Sequence, residues 1–566
     1  MKPRLLCLML PALIAAGCAT GPEPRWTPET AAPPASPPPG VEQAAPLDTR
    51  AAPLPPNLPN PAPLTRDGAI LTALTNNRGI EVAAFGPRIG ETLVPEARAA
   101  FDPVLLGAVS AGRDTRPLEE YSPSAPAFPT AAYTTVGSVA SQAQRLVEQS
   151  KKLGTTLDAI QTPSLVTDDT RGSLTLRQAL PTGTEFFLTG SLSDTHTNLS
   201  EAERQGAWSL GVSQPLLEGA GARVNLALLR QAANRSAQSG HAFRAAVLEL
   251  VRQVETAYWG LVLAEELVKI REFAVELADR QLRRNEDLLS VGRAIEGDVM
   301  AARAEKATRT ADLTDARAAV RSQNIALVRL LNPDAADPWA VTFSPQDPPE
   351  TAPLAVDGDK SGELALQYRP EVAQARLAEA NTTLDVIRTR NSLLPSLDLT
   401  GAYGVTSRGG TKGAMTGGLD DLAYDNYRIG LEFQAPVLNR AEKARHRRAV
   451  LLESQAERNV AAVGQLVEAE ARQAAVELEK QWQRIEAARQ AVASRTEQLR
   501  VAEGRNESGR TTDLDLMIVQ RDFIQSQVDE VTARVRHIQA ATLLHAAEGT
   551  LLERRGVTLE TADNPE

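Results

Sequence analysis

Aromatic residues are scarce in this chain, at 4% of 566, which argues against a series of ordinary globular cores. Cysteine is scarcer still. Cys7 and Cys18 are the only two, both near the N-terminus, so no disulfide framework exists. The five histidines, His196, His241, His446, His537 and His545, sit in no HExxH arrangement, and neither CxxC nor GxSxG occurs. Each reads as a surface or helix-packing side chain, which leaves an enzyme as the weakest reading. Positive charge is not in excess: the net charge of −11 offers no basic face for nucleic acid. Beyond the N-terminal segment no run of 18 apolar residues appears, so no transmembrane helix is expected and any spanning element must be a β-barrel.

What is present begins with a targeting segment. Lys2 and Arg4 precede an apolar run from Leu5 to Ala16, and "LIAAGC" ends at Cys18. This resembles a bacterial lipoprotein signal, with Ala15 in place of the commoner leucine. The resemblance implies that residues 1–17 are removed and that Cys18 becomes the lipid-modified first residue, a covalent lipid being the only added group expected. It also links Ala19, rather than an aspartate, to outer-membrane sorting. A plain secretory signal cleaved nearby is the alternative. Residues 18–65 are rich in proline ("PPASPPPG", "LPPNLPNPAP") and read as an extended tether.

The remainder repeats itself. "GRAIEGDVM" at Gly292–Met300 returns as "GRTTDLDLM" at Gly509–Met517, 217 residues later. Leu74 and Pro103 correspond to Leu366 and Pro395 at an offset of 292; Pro215 corresponds to Pro436 at 221. Three anchors in the same order indicate a duplication, with repeats at 66–332 and 363–557, an interruption at 333–362 and a tail at 558–566. Strand signals fill the intervals between the prolines. "SLTLRQALPTGTEFFLTGSL" alternates about a Pro-Thr-Gly turn, and "AWSLGVSQPLL", "PSLDLTGAYGVTS" and "YRIGLEFQAPV" alternate likewise. One apolar face without a long hydrophobic run suits strands between lipid and a wet lumen, though a soluble sheet alternates in the same way. The first half is 71 residues longer between its prolines, which makes either a long loop or two added strands; four principal strands are expected.

Helix lengths are matched. Pro215–Gly292 and Pro436–Gly509 would span roughly 115 Å and 110 Å if wholly helical, and the shorter returning segments sum to a similar distance. Leu263, Ile270 and Leu277, and Leu478, Ile485, Val492 and Leu499, form heptad seams. The seams alone would suit a non-conducting coiled-coil tether across the envelope; the strands argue against it.

In combination, "FDPVL", "QALPTGTEF", "SQPLLEGAG", "RPEVAQAR", "LLPSLDLTGAYG" and "IGLEFQAPVLNRAEKAR" resemble the TolC family of outer-membrane efflux proteins, over about Leu64–Val557. The resemblance implies a mostly α fold with β: a homotrimer whose chains each give four strands to one membrane barrel and six helices to a periplasmic α-barrel. It places the interruption in an equatorial domain. The two glycine-arginine breaks, with Gly292, Arg293, Asp298, Gly509, Arg510 and Asp515, become helix tips that form the periplasmic gate and meet a membrane-fusion adaptor. An inner-membrane pump of RND or ABC type would supply energy, and the lipids of the outer membrane would surround the barrel. Asp515 stands where the family can set a ring of lumen-facing carboxylates, yet "TDLD" also suits a helix cap. Thr511 and Ile518 depart from the family's pattern, so the arginine lock is either absent or rebuilt from Arg510 or Arg293, and a second ring at 518 is not expected. The function implied is a passive exit duct of an efflux pump; type I protein secretion is the alternative.

Overall fold

The computed structural model describes residues 60–117, 164–198, 200–409, 411, 413, 424–508 and 510–559. Cys18 and Gly509 lie outside the described residues, as do the signal segment and most of the tether. The elements, in chain order, are β1 (Ala62–Leu64), α1 (Arg66–Asn76), α2 (Arg78–Ala83), α3 (Phe85–Arg98), β2 (Val104–Pro117), β3 (Ser164–Ala179), β4 (Glu185–Thr197) and β5 (Ser200–Pro215). They continue with α4 (Ala227–Ser290), α5 (Glu296–Leu331), β6 (Phe343–Pro345), α6 (Gly358–Tyr368), α7 (Pro370–Asn391), β7 (Ser396–Gly409) and β8 (Asp425–Gln434). The last are α8 (Arg440–Glu507), α9 (Asp513–Glu548) and α10 (Leu551–Arg554). No described helix is long and apolar enough to cross a membrane.

The repeat offsets fall on element boundaries. Moving α1 by 292 lands on α6, and moving α5 by 217 lands on α9, residue for residue. The local causes repeat too. Thr65 caps α1 by accepting from Gly68 N at 3.1 Å, and Asp357 caps α6 by accepting from Asp359 N at 3.0 Å. Asn77 (φ −70°, ψ 116°) and Arg369 (φ −68°, ψ 125°) end α1 and α6 with nearly the same extended backbone. Pro370 after Arg369 explains the second break, because proline excludes the helical conformation from the residue before it. Asn332 (φ 42°) and Gly549 (φ 75°) end α5 and α9 in left-handed conformation, the offset again 217.

The chain forms two compact units. One, made of Arg98–Leu226 and Ile387–Ala444 among its described residues, holds a six-stranded antiparallel sheet in the order β2-β3-β4-β5-β7-β8. The expectation of four strands is therefore corrected to six among the described residues. The Pro-Thr-Gly segment closes a tight turn, with Leu180 N donating to Thr184 O at 2.8 Å; β3 pairs with β2 in continuous register, and β4 with β5 in one register from Glu185 to Thr195, beyond which it shifts. The turn needs glycine. Gly183 has φ +89°, and a Cβ there would meet the Gly219 carbonyl and the Asn225 amide of the segment that follows β5. Gly221 N donates to Thr182 O at 3.0 Å, and Glu218 N and Gly219 N donate to Pro395 O and Asn391 Oδ1. The hairpin is thus built into the sheet's own end.

The other unit is helical. α4 and α8 run 64 and 68 residues, about 96 Å and 102 Å at 1.5 Å per residue. Its main core joins Ile70 of α1, Val254, Tyr258 and Leu261 of α4, Leu327 and Leu331 of α5, Phe343 of β6 and Leu551 and Leu552 of α10. The seam residues Leu478 and Ile485 are buried, as expected, and Leu277 and Leu499 pack with Leu516 and Phe523 of α9. The 333–362 interruption is docked. Asn324 donates to Val341 O and accepts from Phe343 N, β6 pairs parallel with β1, and the Tyr258 hydroxyl donates to Asp347 Oδ2 at 2.6 Å.

Candidate channel wall and helical tips

Register across the sheet sorts its side chains into two faces. Leu105, Leu176, Leu188, Leu210, Tyr403 and Tyr427 are cross-strand neighbours, one from each strand, and form an unbroken apolar row. All six are exposed, at 40% or more. Parallel rows on the same face carry Phe186, Val212 and Ile429, then Leu399 with Leu431, then Leu397 with Phe433. On β7 this face runs from Leu397 to Val405, about 27 Å along the strand, comparable with the ~25 Å apolar band of outer-membrane barrels. Beyond Val109 and Leu192 the face turns ionic: Arg113 Nε donates to Asp168 Oδ1 at 2.6 Å, and Arg204 Nε to Asp194 Oδ2 at 3.0 Å.

One residue along every strand, the opposite face is polar. Thr175, Thr189, Ser209 and Asn426 share a row, with the Thr175 and Thr189 hydroxyls 3.0 Å apart. Another holds Ser110, Arg171, Ser193, Gln205 and Arg408. Arg177 and Glu185 pair at 2.6 Å. Val104, Leu106, Leu165 and Phe187 are the larger apolar exceptions on this face; Val104 and Leu106, on the edge strand β2, are exposed, and the Phe187 ring takes the space that a Cβ on its neighbour Gly211 would fill. Exposed leucines and tyrosines on one face and hydroxyls and charges on the other suit a wall with hydrocarbon outside and water inside.

In the helical unit, the first glycine-arginine break is a Schellman turn. Gly292 has φ +71°; its N–H donates to Leu289 O at 2.9 Å, and Arg293 N donates to Leu288 O at 2.8 Å. Arg510 N donates to Arg505 O, five residues back and also at 2.8 Å, so the second tip keeps the same closing bond. The aspartates cap the next helices. Asp515 and Thr512 exchange bonds, Thr512 Oγ1 donating to Asp515 Oδ2 at 2.6 Å and Asp515 N to Thr512 Oγ1 at 3.2 Å. Asp298 accepts from Ile295 N at 3.3 Å and its own N–H donates to Ile295 O at 3.0 Å, the isoleucine side chain having no oxygen to offer. Arg293, Arg510 and Asp515 are exposed, as are Val291, Ile295 and Leu514.

Two asparagines at the tips carry contacts that the sequence did not announce. Asn285, fully buried, accepts from Gln281 Nε2 and donates to Asp298 O at 3.3 Å, tying α4 to α5. Asn506 donates to Asp513 Oδ1 at 2.8 Å, and its carbonyl accepts from Arg284, which links the two tips. They are not repeat equivalents. Polar residues in the last turns of a helix are the only available signal, and it is a weak one.

A two-faced sheet together with tandem helical hairpins defines a channel-wall protein of outer membranes. The chain belongs to the outer membrane efflux protein family, which residues 170–333 and 362–550 match. Solved structures with the same fold include the Campylobacter jejuni CmeC outer membrane channel, at 16% identity and TM-score 0.60 over 86% of each chain. VceC of Vibrio cholerae is 17% identical with TM-score 0.58, covering 86% of this chain and 96% of its own. The open-state MtrE outer membrane channel of Neisseria gonorrhoeae is 17% identical with TM-score 0.55, covering 86% and 89%. No curated protein matches this sequence. The fold is TolC-like, mostly helical with a membrane sheet.

Proposed function

We propose that the protein is the passive exit duct of a tripartite efflux system, a homotrimer held in the outer membrane by its barrel and by lipid on Cys18. The carrying observation is the apolar row from Leu105 to Tyr427 backed by the polar row through Thr175 and Asn426, which gives the sheet a lipid side and a water side. The tips at Gly292–Asp298 and Gly509–Asp515 form the periplasmic gate, and their exposed Val291, Ile295 and Leu514 give a membrane-fusion adaptor an apolar footing. An inner-membrane pump supplies the energy. Asp515 and Asp298 cap their helices and, through threefold symmetry, also bring like carboxylates towards one axis, where repulsion opposes unscreened approach. Adaptor binding then biases a closed-to-open shift of the tips.

Purified protein in planar bilayers tests this reading. Wild type is expected to conduct weakly; Asp298→Ala plus Asp515→Ala strips the caps from both tip helices and should open the tips more often, an effect opposite in sign to the relief of carboxylate repulsion. Absence of conductance from both would refute the duct.

A further inference from the structure

Among the described residues the sheet ends in two unpaired edges, β2 on the side away from β3 and β8 on the side away from β7. A strand edge in hydrocarbon leaves N–H and C=O groups with no partner, so both edges must be paired. They cannot close on each other within one copy. With strands about 4.8 Å apart and tilted about 40°, six strands enclose only about 12 Å between backbones, narrower than the smallest eight-stranded barrels, whose side chains already fill them. Direction permits another solution. Every neighbour in the sheet is antiparallel and the strand number is even, so β8 of one copy can take β2 of the next as one more antiparallel partner. The faces also continue: Leu105 and Val109 on β2 lie on the same apolar side as Tyr427, Ile429, Leu431 and Phe433 on β8, and all six are exposed.

We propose that β2 of one copy pairs with β8 of the next, so that the trimer of the proposed function, on which this inference rests, closes a barrel of eighteen strands. The four strands per chain implied by family resemblance would give twelve. Because diameter grows with strand number, the backbone-to-backbone width becomes about 36 Å instead of about 24 Å, and the cross-section about 2.2-fold larger. At that width the barrel holds a water-filled lumen of porin class, and the outer mouth does not set the size limit of what leaves.

The native cysteines, Cys7 and Cys18, are confined to the N-terminal segment, which makes paired cysteines on the strands clean reporters. Leu105→Cys and Val109→Cys are each combined with Tyr427→Cys, Ile429→Cys, Leu431→Cys and Phe433→Cys in the full chain, and outer membranes are oxidised. Within one copy β2 and β8 are five strand spacings apart, about 24 Å along the sheet, beyond the ~7 Å reach of a disulfide, so any bond joins two copies. At least one combination should give covalent dimers and trimers more than tenfold above the single-cysteine controls. No cross-link from any combination, in protein that still conducts, overturns the eighteen-strand barrel and leaves the duct standing. A density map of the unmutated protein in lipid nanodiscs is the second arm. Eighteen strands are expected; twelve overturn this inference alone, and the lack of any shared barrel overturns the duct as well.

Discussion

The helices Glu296–Leu331 and Asp513–Glu548 have 36 residues each and end in the same left-handed conformation, whereas Val104–Pro215 makes four strands of the sheet and Ser396–Gln434 makes two. The difference follows from what each kind of structure tolerates. A helix that packs along a neighbour and must reach a fixed turn cannot gain a residue without rotating its apolar stripe by about 100°. A sheet can grow by a whole hairpin, because two more antiparallel strands return the chain to the end from which it left. The tight turn at Gly183, seated against Gly219 and Asn225, joins β3 to β4 within the longer, first-repeat part of the sheet.

The largest test of helical equivalence contrasts Glu255 of α4 with Arg472, its counterpart in α8. Glu255 is fully buried, paired with Arg555 and accepting from the Thr542 hydroxyl at 2.6 Å. Glu255→Ala leaves the partly buried Arg555 guanidinium without its partner and should cost about 3 kcal/mol, read as a fall in the midpoint of thermal helix loss. Arg472 is half exposed beside Glu468 and Asp359, so Arg472→Ala should cost under about 1 kcal/mol. Equal losses would mean that the C-terminal segment does not favour the first repeat.

The left-handed helix ends make a second contrast. At Gly549 a Cβ would lie 2.8 Å from the Tyr368 carbonyl carbon, so Gly549→Ala should cost about 2 kcal/mol or more. Asn332→Ala meets no such clash; it adds the conformational penalty and loses the Nδ2 bond to Asn76 O at 3.0 Å, about 1–2 kcal/mol together. Denaturation midpoints of the two variants rank them.

His545 in α9 stands where α5 has Val328, and both are buried. Burial first, then Arg554 and Arg555 beside it, push its imidazole down to about 3. The unfolded chain takes up a proton below about pH 6.5 that the folded protein refuses until about 3. Stability is therefore full above pH 6.5 and falls as pH drops from there toward 3, by up to ~1.4 kcal/mol per unit. His545→Val should flatten that fall, seen as a smaller change in melting temperature between pH 7 and pH 5. An unchanged slope would assign the acid sensitivity to other groups.

The smallest contrast lies at the tips. Asp515→Ala loses a reciprocal box with Thr512, about 1–2 kcal/mol, whereas Asp298→Ala loses a single bond, about 0.5–1 kcal/mol. Hydrogen exchange confined to the first turns of α9 and α5 should show the larger gain after Asp515→Ala.

The parts of this fold that rest on local chemistry were legible in the sequence. The offsets of 292 and 217, the glycine-arginine turns and the capping aspartates depend on residues within one turn of each other. Alternation marked the strands and their faces, but it cannot say whether "SLTLRQALPTGTEFFLTGSL" pairs within the sheet or loops beyond it. That depends on register with Val104–Pro117 and Ser200–Pro215. The buried network was hidden for a related reason: Glu255 and Arg555 look like solvent-facing charges, and their pairing spans 300 residues. Asn285 and Asn506 were equally silent, since their partners lie across the turn.

Water accessibility along β4, in the protein embedded in its own membrane, probes the two-faced sheet most directly. Single cysteines from Phe186 to Ser193 would be reacted with a water-soluble maleimide. Phe187, Thr189, Ser191 and Ser193 should label, with Phe186, Leu188, Gly190 and Leu192 protected, a period of two along the strand. Uniform labelling of both sets would contradict the division into a lipid side and a water side.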